Sequence, residues 1–238
     1  MAEEALVEVV VAGQSLTALV CTPFQVRELV YGHLAGLGLI RTAQEVLAYH
    51  EEWGFSGGIP GEHARISVHI KTAPRIWPRE KLLWSSCESA SFQALDLPRL
   101  SPRPIFPAAG LLDLPRRVLL HAERFKKTGA HHCAALFNPA LEAIFFAEDI
   151  GRHNAVDKVL GAALLASQHL AEALLYTTGR VGTETVVKAL RLGVPVVASP
   201  GAPLWGAVAL AREHGLGLVG FLRGRRFNLY SGPDWFTP

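Results

Sequence analysis

The chain has 238 residues, of which half are hydrophobic and 18% are charged. This length and composition fit one large or two small globular domains and exclude a disordered or collagen-like chain. The 23 basic and 21 acidic residues leave a formal net charge of +2, too small a surplus to indicate a nucleic-acid or membrane partner. The three cysteines are few, and an odd number cannot all form pairs, which argues against a disulfide-stapled secreted domain. We therefore expect reduced thiols.

Neither a leader nor a membrane span is predicted. The acidic start, residues 1–4, lacks the basic region and apolar stretch of a secretory signal. The most apolar segment, residues 162–176, is interrupted by polar side chains and falls short of the run that a bilayer requires. We therefore expect a cytoplasmic protein.

Residues 1–73 are predicted to form a small β-rich subdomain. Two β-branched runs, 5–11 and 16–20, flank a glycine-containing turn and predict a hairpin. Apolar residues at helical spacing between Pro23 and Gly38 predict a helix. The glycine-rich residues 53–61 predict a loop, and the alternation over 64–70 predicts an edge strand.

Residues 74–114 are rich in proline and predict a long connecting loop, which carries Cys87. Residues 115–238 then alternate helices with short apolar strands. The predicted helices cover 116–127, 152–169, 183–192 and 204–214, and the predicted strands cover 133–137, 143–146, 173–176, 194–198 and 216–222. This pattern indicates an α/β domain built on a mixed, mostly parallel sheet.

The cysteines differ in their surroundings. Cys87 lies in a run of small polar residues near Arg79 and Lys81, where an exposed thiolate nucleophile and an inert loop cysteine are about equally plausible. Cys21 and Cys133 each border an apolar strand, and we expect both to pack in the core.

The densest polar cluster, residues 148–158, opens a helix directly after a strand, where open α/β sheets bind ligands. His153 and Asp157 share one helix face, so the carboxylate could orient the imidazole. The alternative is an N-capping Asp149 with solvent-exposed charge pairs. Residues 177–184 and 199–203 repeat the strand, small-residue turn and helix, and all three turns are predicted to share one sheet edge.

Residues 220–228 place three arginines and two phenylalanines around Gly224 at a strand end. Arginine binds phosphate oxygens in a bidentate way, so the segment indicates a nucleotide or pyrophosphate site. The alternative is a solvated basic turn. His121 and Glu123 match half of the zinc-deaminase motif, but the chain has no P-C-x-x-C half, so we expect no zinc.

Several short strings occur together and in a fixed order. They are C-T-P at 21–23, E-L-V-Y-G at 28–32, S-S-C at 85–87, T-G-A-H at 128–131, A-A at 134–135, E-D-I-G-R-H-N-A-V-D-K at 148–158, G-F at 220–221 and R-F-N at 226–228. Together they resemble the FdhD family, the sulfur carriers that formate dehydrogenase activity requires. The resemblance covers nearly the whole chain, and the string at 148–158 is its most specific part.

This resemblance implies a three-layer domain similar to cytidine deaminases without their zinc, and a homodimer. It also implies a sulfurtransferase in which a cysteine desulfurase loads a persulfide on Cys87. The sulfur then passes to the molybdenum bis-molybdopterin guanine dinucleotide cofactor before that cofactor enters formate dehydrogenase. The residues expected to hold the guanine nucleotide part are Phe221, Leu222, Arg223, Gly224, Arg225 and Arg226.

The chain departs from the family at the cysteine loop. Many members have C-x-x-C there, whereas Ala90 occupies the second cysteine's place and Glu88 replaces a glycine. One thiol can still carry a persulfide but lacks an adjacent thiol to resolve it. Two alternatives stay open, a cofactor-delivery chaperone that moves no sulfur and a nucleotide hydrolase or deaminase that uses His153 with Asp157.

Overall fold

The structure is a computed structural model that describes residues 1–54, 62–71 and 96–238. Within these residues it contains a four-stranded sheet, a six-stranded sheet, a two-stranded pairing and six α-helices. The predictions about Cys87, and most of the predicted proline-rich loop, lie outside the described residues. No helix in the described part of the chain is long and apolar enough to cross a membrane.

The N-terminal sheet begins with the predicted hairpin. β1 (Ala5–Val11) pairs antiparallel with β2 (Gln14–Cys21), and the turn between them places Ala12 and Gly13 at φ angles of 50° and 79°. Two left-handed residues in a tight turn match the twist of the flanking strands. The predicted helix follows as α1 (Val26–Gly36). Both predictions are confirmed.

Two predictions for the same sheet are wrong. Its order is β2-β1-β4-β3, so β4 (Glu62–Ile70) is an inner strand rather than an edge strand. Alternation reports that one face of a strand is buried and does not show whether another strand lies beside it. The neighbour, β3 (Val46–Gly54), is mostly exposed and carries no clear hydrophobic period, so it was not predicted. Trp53 and Gly54, predicted as loop, end this strand.

The six-stranded sheet has the order β11-β10-β9-β8-β6-β7. Its strands are β6 (His132–Phe137), β7 (Ala143–Asp149), β8 (Leu174–Thr177), β9 (Val196–Ala198), β10 (Gly217–Arg223) and β11 (Arg226–Ser231). The pairs β8–β9 and β9–β10 are parallel, and the pairs β6–β7, β6–β8 and β10–β11 are antiparallel. The sheet is mixed, as predicted, but not mostly parallel. Short turns over 138–142 and at Gly224 can join only antiparallel strands, and β11 was not predicted.

The helices of this part are α2 (Leu114–His121), α3 (Glu123–Thr128), α4 (Arg152–Leu165), α5 (Thr183–Arg191) and α6 (Trp205–His214). The helix predicted over 116–127 is therefore divided at Ala122, and α4 ends four residues before its predicted limit of 169. The described part of the predicted connecting loop contains regular structure, since β5 (Phe106–Pro107) pairs with β12 (Phe236–Thr237) and a 3₁₀ turn covers Ala109–Asp113.

Helices cover both faces of the six-stranded sheet. α4, α5 and α6 pack on one face, and α2 with β5 and Trp235 packs on the other. α1 lies between the four-stranded sheet and α4. The α/β class is thus confirmed. The likeness to cytidine deaminases and the boundaries at residues 73 and 114 stay predictions.

Two glycines allow α1 and α4 to touch backbone to backbone. A Cβ placed on Gly32 would lie 1.8 Å from the Asp157 carbonyl oxygen, and one on Gly161 would lie 1.9 Å from the Glu28 carbonyl oxygen. No side chain fits at either position, so this contact sets how closely the N-terminal layer sits on the rest of the molecule.

Gly32→Ala is expected to lower the free energy of unfolding by about 1–3 kcal/mol or more, because the added methyl must push two helices apart. Urea unfolding measures this loss. Gly54→Ala is the matched control, since a Cβ there meets nothing within 4 Å. Equal midpoints for the two variants would show that the helices are not in backbone contact.

Candidate functional site

Four turns of the six-stranded sheet meet along one edge. β7, β8, β9 and β10 end there, and β6 begins there because it runs antiparallel to β7 and β8. The Ser199 hydroxyl donates to the Gly179 carbonyl at 2.6 Å, and the Phe221 N–H donates to the Gly201 carbonyl at 3.0 Å. A Cβ on Gly179 would lie 2.8 Å from the Arg152 side chain. The prediction that the three βα turns share one edge is confirmed, and β10 joins them.

The hairpin between β10 and β11 has an unusual backbone. Phe221 has a φ of 51° in the region that favours glycine, and Gly224 has a φ of 57° at the turn. A bulky residue held at positive φ costs about 1–3 kcal/mol, and such positions cluster at ligand sites. The Leu222 side chain is buried in the core, so only its backbone is near the hairpin surface.

Three guanidinium groups surround this hairpin. Arg223 Nε donates to the Pro200 carbonyl at 2.8 Å, and its Cζ lies 5.7 Å from the Phe221 ring centroid. Arg225 and Arg226 are exposed, and neither side chain has an ion-pair partner among the described residues. This arrangement presents unpaired positive charge beside an exposed aromatic ring, which suits a phosphate-bearing heterocycle.

A fully buried ion pair supports the edge where β7 ends. Lys158 Nζ lies 2.6 Å from Asp149 Oδ2, and both side chains have no solvent exposure. Asp149 also accepts from the backbone N–H groups of Thr22 and Gly151, at 3.0 and 2.8 Å, and from the Asn154 amide at 3.0 Å. Lys158 Nζ donates in turn to the Thr22 carbonyl at 2.9 Å. The pair therefore joins the end of β2 to β7 and α4.

A second buried network links α1, α4 and α5. Lys188 Nζ lies 2.7 Å from Asp157 Oδ1 and 2.6 Å from Glu184 Oε1. The His33 Nδ1 lies 3.3 Å from Asp157 Oδ2, and the His153 Nδ1 lies 3.6 Å from Glu184 Oε2. The expectation that Asp157 orients His153 is wrong, because Asp157 is engaged by Lys188 and His33.

Burial and charge act in opposite directions within this network. Burial alone would lower the pKa of Lys188, but the carboxylates of Asp157 and Glu184 raise it above its ordinary value. Burial alone would raise the pKa of Asp157, yet Lys188 and His33 hold it below its ordinary value. The His153 pKa is lowered by burial, against the opposing charge of Glu184. The network is thus a charged Lys188 between two carboxylates, beside the neutral imidazole of His153.

The two described cysteines are buried free thiols, as predicted. Burial, with a smaller contribution from Asp149, raises the pKa of Cys21 to about 12. Burial and the nearby Glu148 carboxylate likewise raise the pKa of Cys133 to about 12. Neither thiol is ionised near neutral pH, so neither is a nucleophile.

The residues that matched half of a zinc-deaminase motif lie at a helix junction. His121 ends α2 with its ring centroid 5.7 Å from that of Phe146, and Glu123 begins α3. Both are exposed. Across residues 1–54, 62–71 and 96–238, no group of three or more His, Cys, Asp and Glu side chains is placed to hold a metal ion.

Several residues of these networks were not singled out from the sequence. Thr22 contacts Asp149 and Lys158, which lie more than a hundred residues away in the sequence. No local sequence pattern reports such a contact. Glu184 and Lys188 are four residues apart on α5, so their ion pair follows from helical spacing. Their contact with α4 depends on how the helices pack.

Comparison with known proteins matches nearly the whole chain to one protein family. The FdhD/NarQ family model matches residues 2–236. A protein of Nocardia farcinica named sulfur carrier protein FdhD is 36% identical over 240 residues, covering 98% of this chain and 86% of that protein. A protein of the same name from Sulfurisphaera tokodaii is 34% identical over 222 residues, covering 92% of this chain and 83% of that protein.

A solved structure agrees with this result. A crystal structure assigned to a formate dehydrogenase accessory protein of Desulfotalea psychrophila superimposes with a TM-score of 0.75 at 27% identity. The match covers 98% of this chain and 89% of that one.

Lys158→Met is expected to lower the free energy of unfolding by about 3–5 kcal/mol, because it leaves the Asp149 carboxylate buried without a cation. Adding Asp149→Asn removes that charge and should recover part of the loss. Chemical unfolding of the two single variants and the double variant measures this coupling.

The exposed pair Arg65–Glu8, with an N–O distance of 2.9 Å, provides the control. Arg65→Met should cost less than about 1 kcal/mol. Strictly additive losses for Asp149 and Lys158 would contradict the proposed dependence of one charge on the other.

Proposed function

Because the chain belongs to the FdhD/NarQ family, we propose that it is a sulfur carrier required for formate dehydrogenase activity, and that Cys87 carries the sulfur as a persulfide. The observation that carries the choice of Cys87 is the burial of the two other cysteines, whose raised pKa values keep them as thiols. Cys87 belongs to the S-S-C string at 85–87 and lies outside the described residues.

Loading of Cys87 is an exchange between two sulfur atoms. The Cys87 thiolate attacks the terminal sulfur of a persulfide on a cysteine desulfurase, and the desulfurase cysteine leaves as a thiolate. One S–S bond forms while another breaks, so the step needs no oxidant or reductant. Only a thiolate can make this attack, which excludes Cys21 and Cys133 as acceptors.

Release of the sulfur as sulfide is different, because it consumes an electron pair. A neighbouring cysteine can supply that pair by forming a disulfide with the carrier cysteine. Ala90 stands where that cysteine would be. We therefore assign the role of reductant to an external thiol, which forms a disulfide with Cys87 as the sulfur passes to the molybdenum of the cofactor.

The cofactor is assigned to the hairpin that holds Phe221 to Arg226. Arg225 and Arg226 are exposed and unpaired within the described part of the chain, and they can bind phosphate oxygens. The exposed Phe221 ring beside Arg223 offers a stacking face. This geometry supports a guanine dinucleotide as the bound substrate, which is the molybdenum bis-molybdopterin guanine dinucleotide of our proposal.

Further parts of the proposal concern partners and place. Family membership supports proposing a cysteine desulfurase as sulfur donor, formate dehydrogenase as recipient of the sulfurated cofactor, a homodimeric state and a cytoplasmic location. A delivery chaperone that moves no sulfur is the second candidate, and the missing second cysteine favours it. The hydrolase alternative loses its motivating pair, because Asp157 contacts Lys188 and His33 rather than orienting His153.

The relay and the chaperone differ in what Cys87 must do. In a host that lacks its own carrier, Cys87→Ala should abolish formate dehydrogenase activity, and Arg226→Ala should reduce it strongly by weakening cofactor binding. Mass spectrometry after incubation with a desulfurase and cysteine should find one added sulfur on the Cys87 peptide.

Two variants control for nonspecific effects. Cys133→Ala should retain the sulfur adduct. Arg41→Ala removes an exposed arginine from the N-terminal part instead of from the hairpin, so it should retain formate dehydrogenase activity. Activity with Cys87→Ala but not with Arg226→Ala would favour the chaperone over the relay.

Because the second thiol is missing, we expect sulfur release to depend on the concentration of an external thiol. Transfer from persulfidated protein to its acceptor should rise with added dithiothreitol, and Ala90→Cys should remove most of that dependence by supplying an internal thiol. Sulfide release measured against thiol concentration tests this, with Ala90→Ser as the control. Thiol-independent release by the unaltered protein would contradict our account of the reductant.

A further inference from the structure

The α2–α3 surface, formed by residues 114–128, exposes three large apolar side chains. Leu119 and Leu120, in the last turn of α2, are 43% and 63% exposed, and Phe125 in α3 is 38% exposed. Leu119 and Phe125 line the same cleft, of about 360 Å³, beside the first residues of β6. Single exposed apolar side chains are ordinary, but three on adjoining turns, two of them around a cleft, indicate a binding surface.

The backbone under these side chains is firmly held. Ala122, which joins α2 to α3, is buried in the core on that face of the sheet. The Glu148 carboxylate accepts from the backbone N–H groups of Arg124 and Phe125, at 2.9 and 2.7 Å, and so fixes the start of α3. Because the backbone is already ordered, a partner that binds here loses little affinity to ordering it.

The charge around the apolar side chains is strongly positive. Residues 114–128 contain five lysines and arginines and one glutamate, although the whole chain has a net charge of only +2. Arg116 is exposed and lies three and four residues before the two leucines, so it shares their helix face. In α3, Lys126 and Lys127 are both exposed. An occupant that matches this surface therefore combines apolar side chains with carboxylates.

The charge and the cleft together favour one class of occupant. A second copy seated symmetrically on the same surface would bring like charges together, which costs affinity. A bilayer surface suits a flat or convex apolar face and would leave the cleft unfilled. A protein that inserts an apolar side chain between Leu119 and Phe125, with carboxylates around it, satisfies both the shape and the charge.

The position of the surface narrows the choice of protein. β6 begins at the sheet edge where β8, β9 and β10 end, and β8 and β9 lie between β6 and β10. Three strand spacings, about 14 Å, therefore separate β6 from the strand that leads into the arginine hairpin. A protein on the α2–α3 surface can face this edge without covering the hairpin. The partner that has to reach the edge is the one that takes up the cofactor.

We propose that the α2–α3 surface docks formate dehydrogenase, through an acidic segment of that enzyme whose apolar side chain enters the cleft. The choice of this enzyme rests on the proposed function, in which formate dehydrogenase receives the cofactor. The expected chemistry of the contact rests on the surface itself, whose leucines and Phe125 bind apolar groups and whose lysines and arginines bind carboxylates. Docking here places the recipient beside the edge from which the cofactor leaves.

Binding of cofactor-free formate dehydrogenase to the full-length protein, measured by biolayer interferometry, tests this docking. Leu120→Ser and Phe125→Ser should each weaken binding about tenfold, as expected when an apolar side chain is lost from an interface. Arg116→Glu combined with Lys127→Glu should also weaken it about tenfold at low salt. The loss from this charge reversal should be smaller at high salt, because salt screens the attraction between exposed charges.

Two variants of the N-terminal part are the matched controls. Leu47→Ser changes a leucine that is 60% exposed, and Arg41→Glu reverses the charge of an exposed arginine. Both should bind formate dehydrogenase as tightly as the unaltered protein does. The charge-reversed variant keeps the test decisive even if an apolar variant fails to fold, because both of its substitutions are at exposed positions.

Several results would overturn the inference. Formate dehydrogenase might fail to bind the unaltered protein, or bind the surface variants as tightly as the controls. The surface variants could instead lose binding to the desulfurase, to a second copy in analytical ultracentrifugation, or to phosphatidylglycerol vesicles, which would assign the surface to another occupant. Failure of Cys87 to take up sulfur would defeat the relay and leave this docking result standing.

Discussion

The buried ion pair of Asp149 and Lys158 is the interaction on which the edge of the main sheet depends. Two charges without solvent exposure are costly, and only complete hydrogen bonding makes their burial tolerable. Thr22 supplies both a donor to the carboxylate and an acceptor for the ammonium group. The end of β2 is therefore held against β7 and α4, and the backbone contact at Gly32 and Gly161 holds α1 against α4.

The charged residues along this edge form two groups, one paired within the protein and one exposed. Buried charges at the start of α4 have their partners within the protein, whereas Arg225 and Arg226 have none in the described part of the chain and remain available to a ligand. The buried thiols follow the same division, because a high pKa makes Cys21 and Cys133 inert packing residues. In the proposed relay this leaves Cys87 as the one reactive thiol, which is why that proposal needs an outside reductant.

Local pattern predicted the elements better than their arrangement. β1, α1 and the three βα turns on one edge followed from hydrophobic period, a glycine-containing turn and the rule that strand ends of open sheets meet. The inner position of β4 and the antiparallel pairs of the main sheet did not, because alternation reports burial of a face and not the neighbour beside it. An exposed strand such as β3 has almost no hydrophobic signal to find.

The sequence by itself determined the family, the choice of Cys87 as the proposed sulfur carrier and the positions of the turns at the strand ends, since these depend on residue type and short spacing. The tertiary structure alone decided which charges pair. Asp157 faces His33, 124 positions away, and Lys188, 31 positions away, instead of its helix neighbour His153. It also left His131 Nε2 without a partner within the described residues. Such contacts arise from packing between distant segments, which no local period encodes.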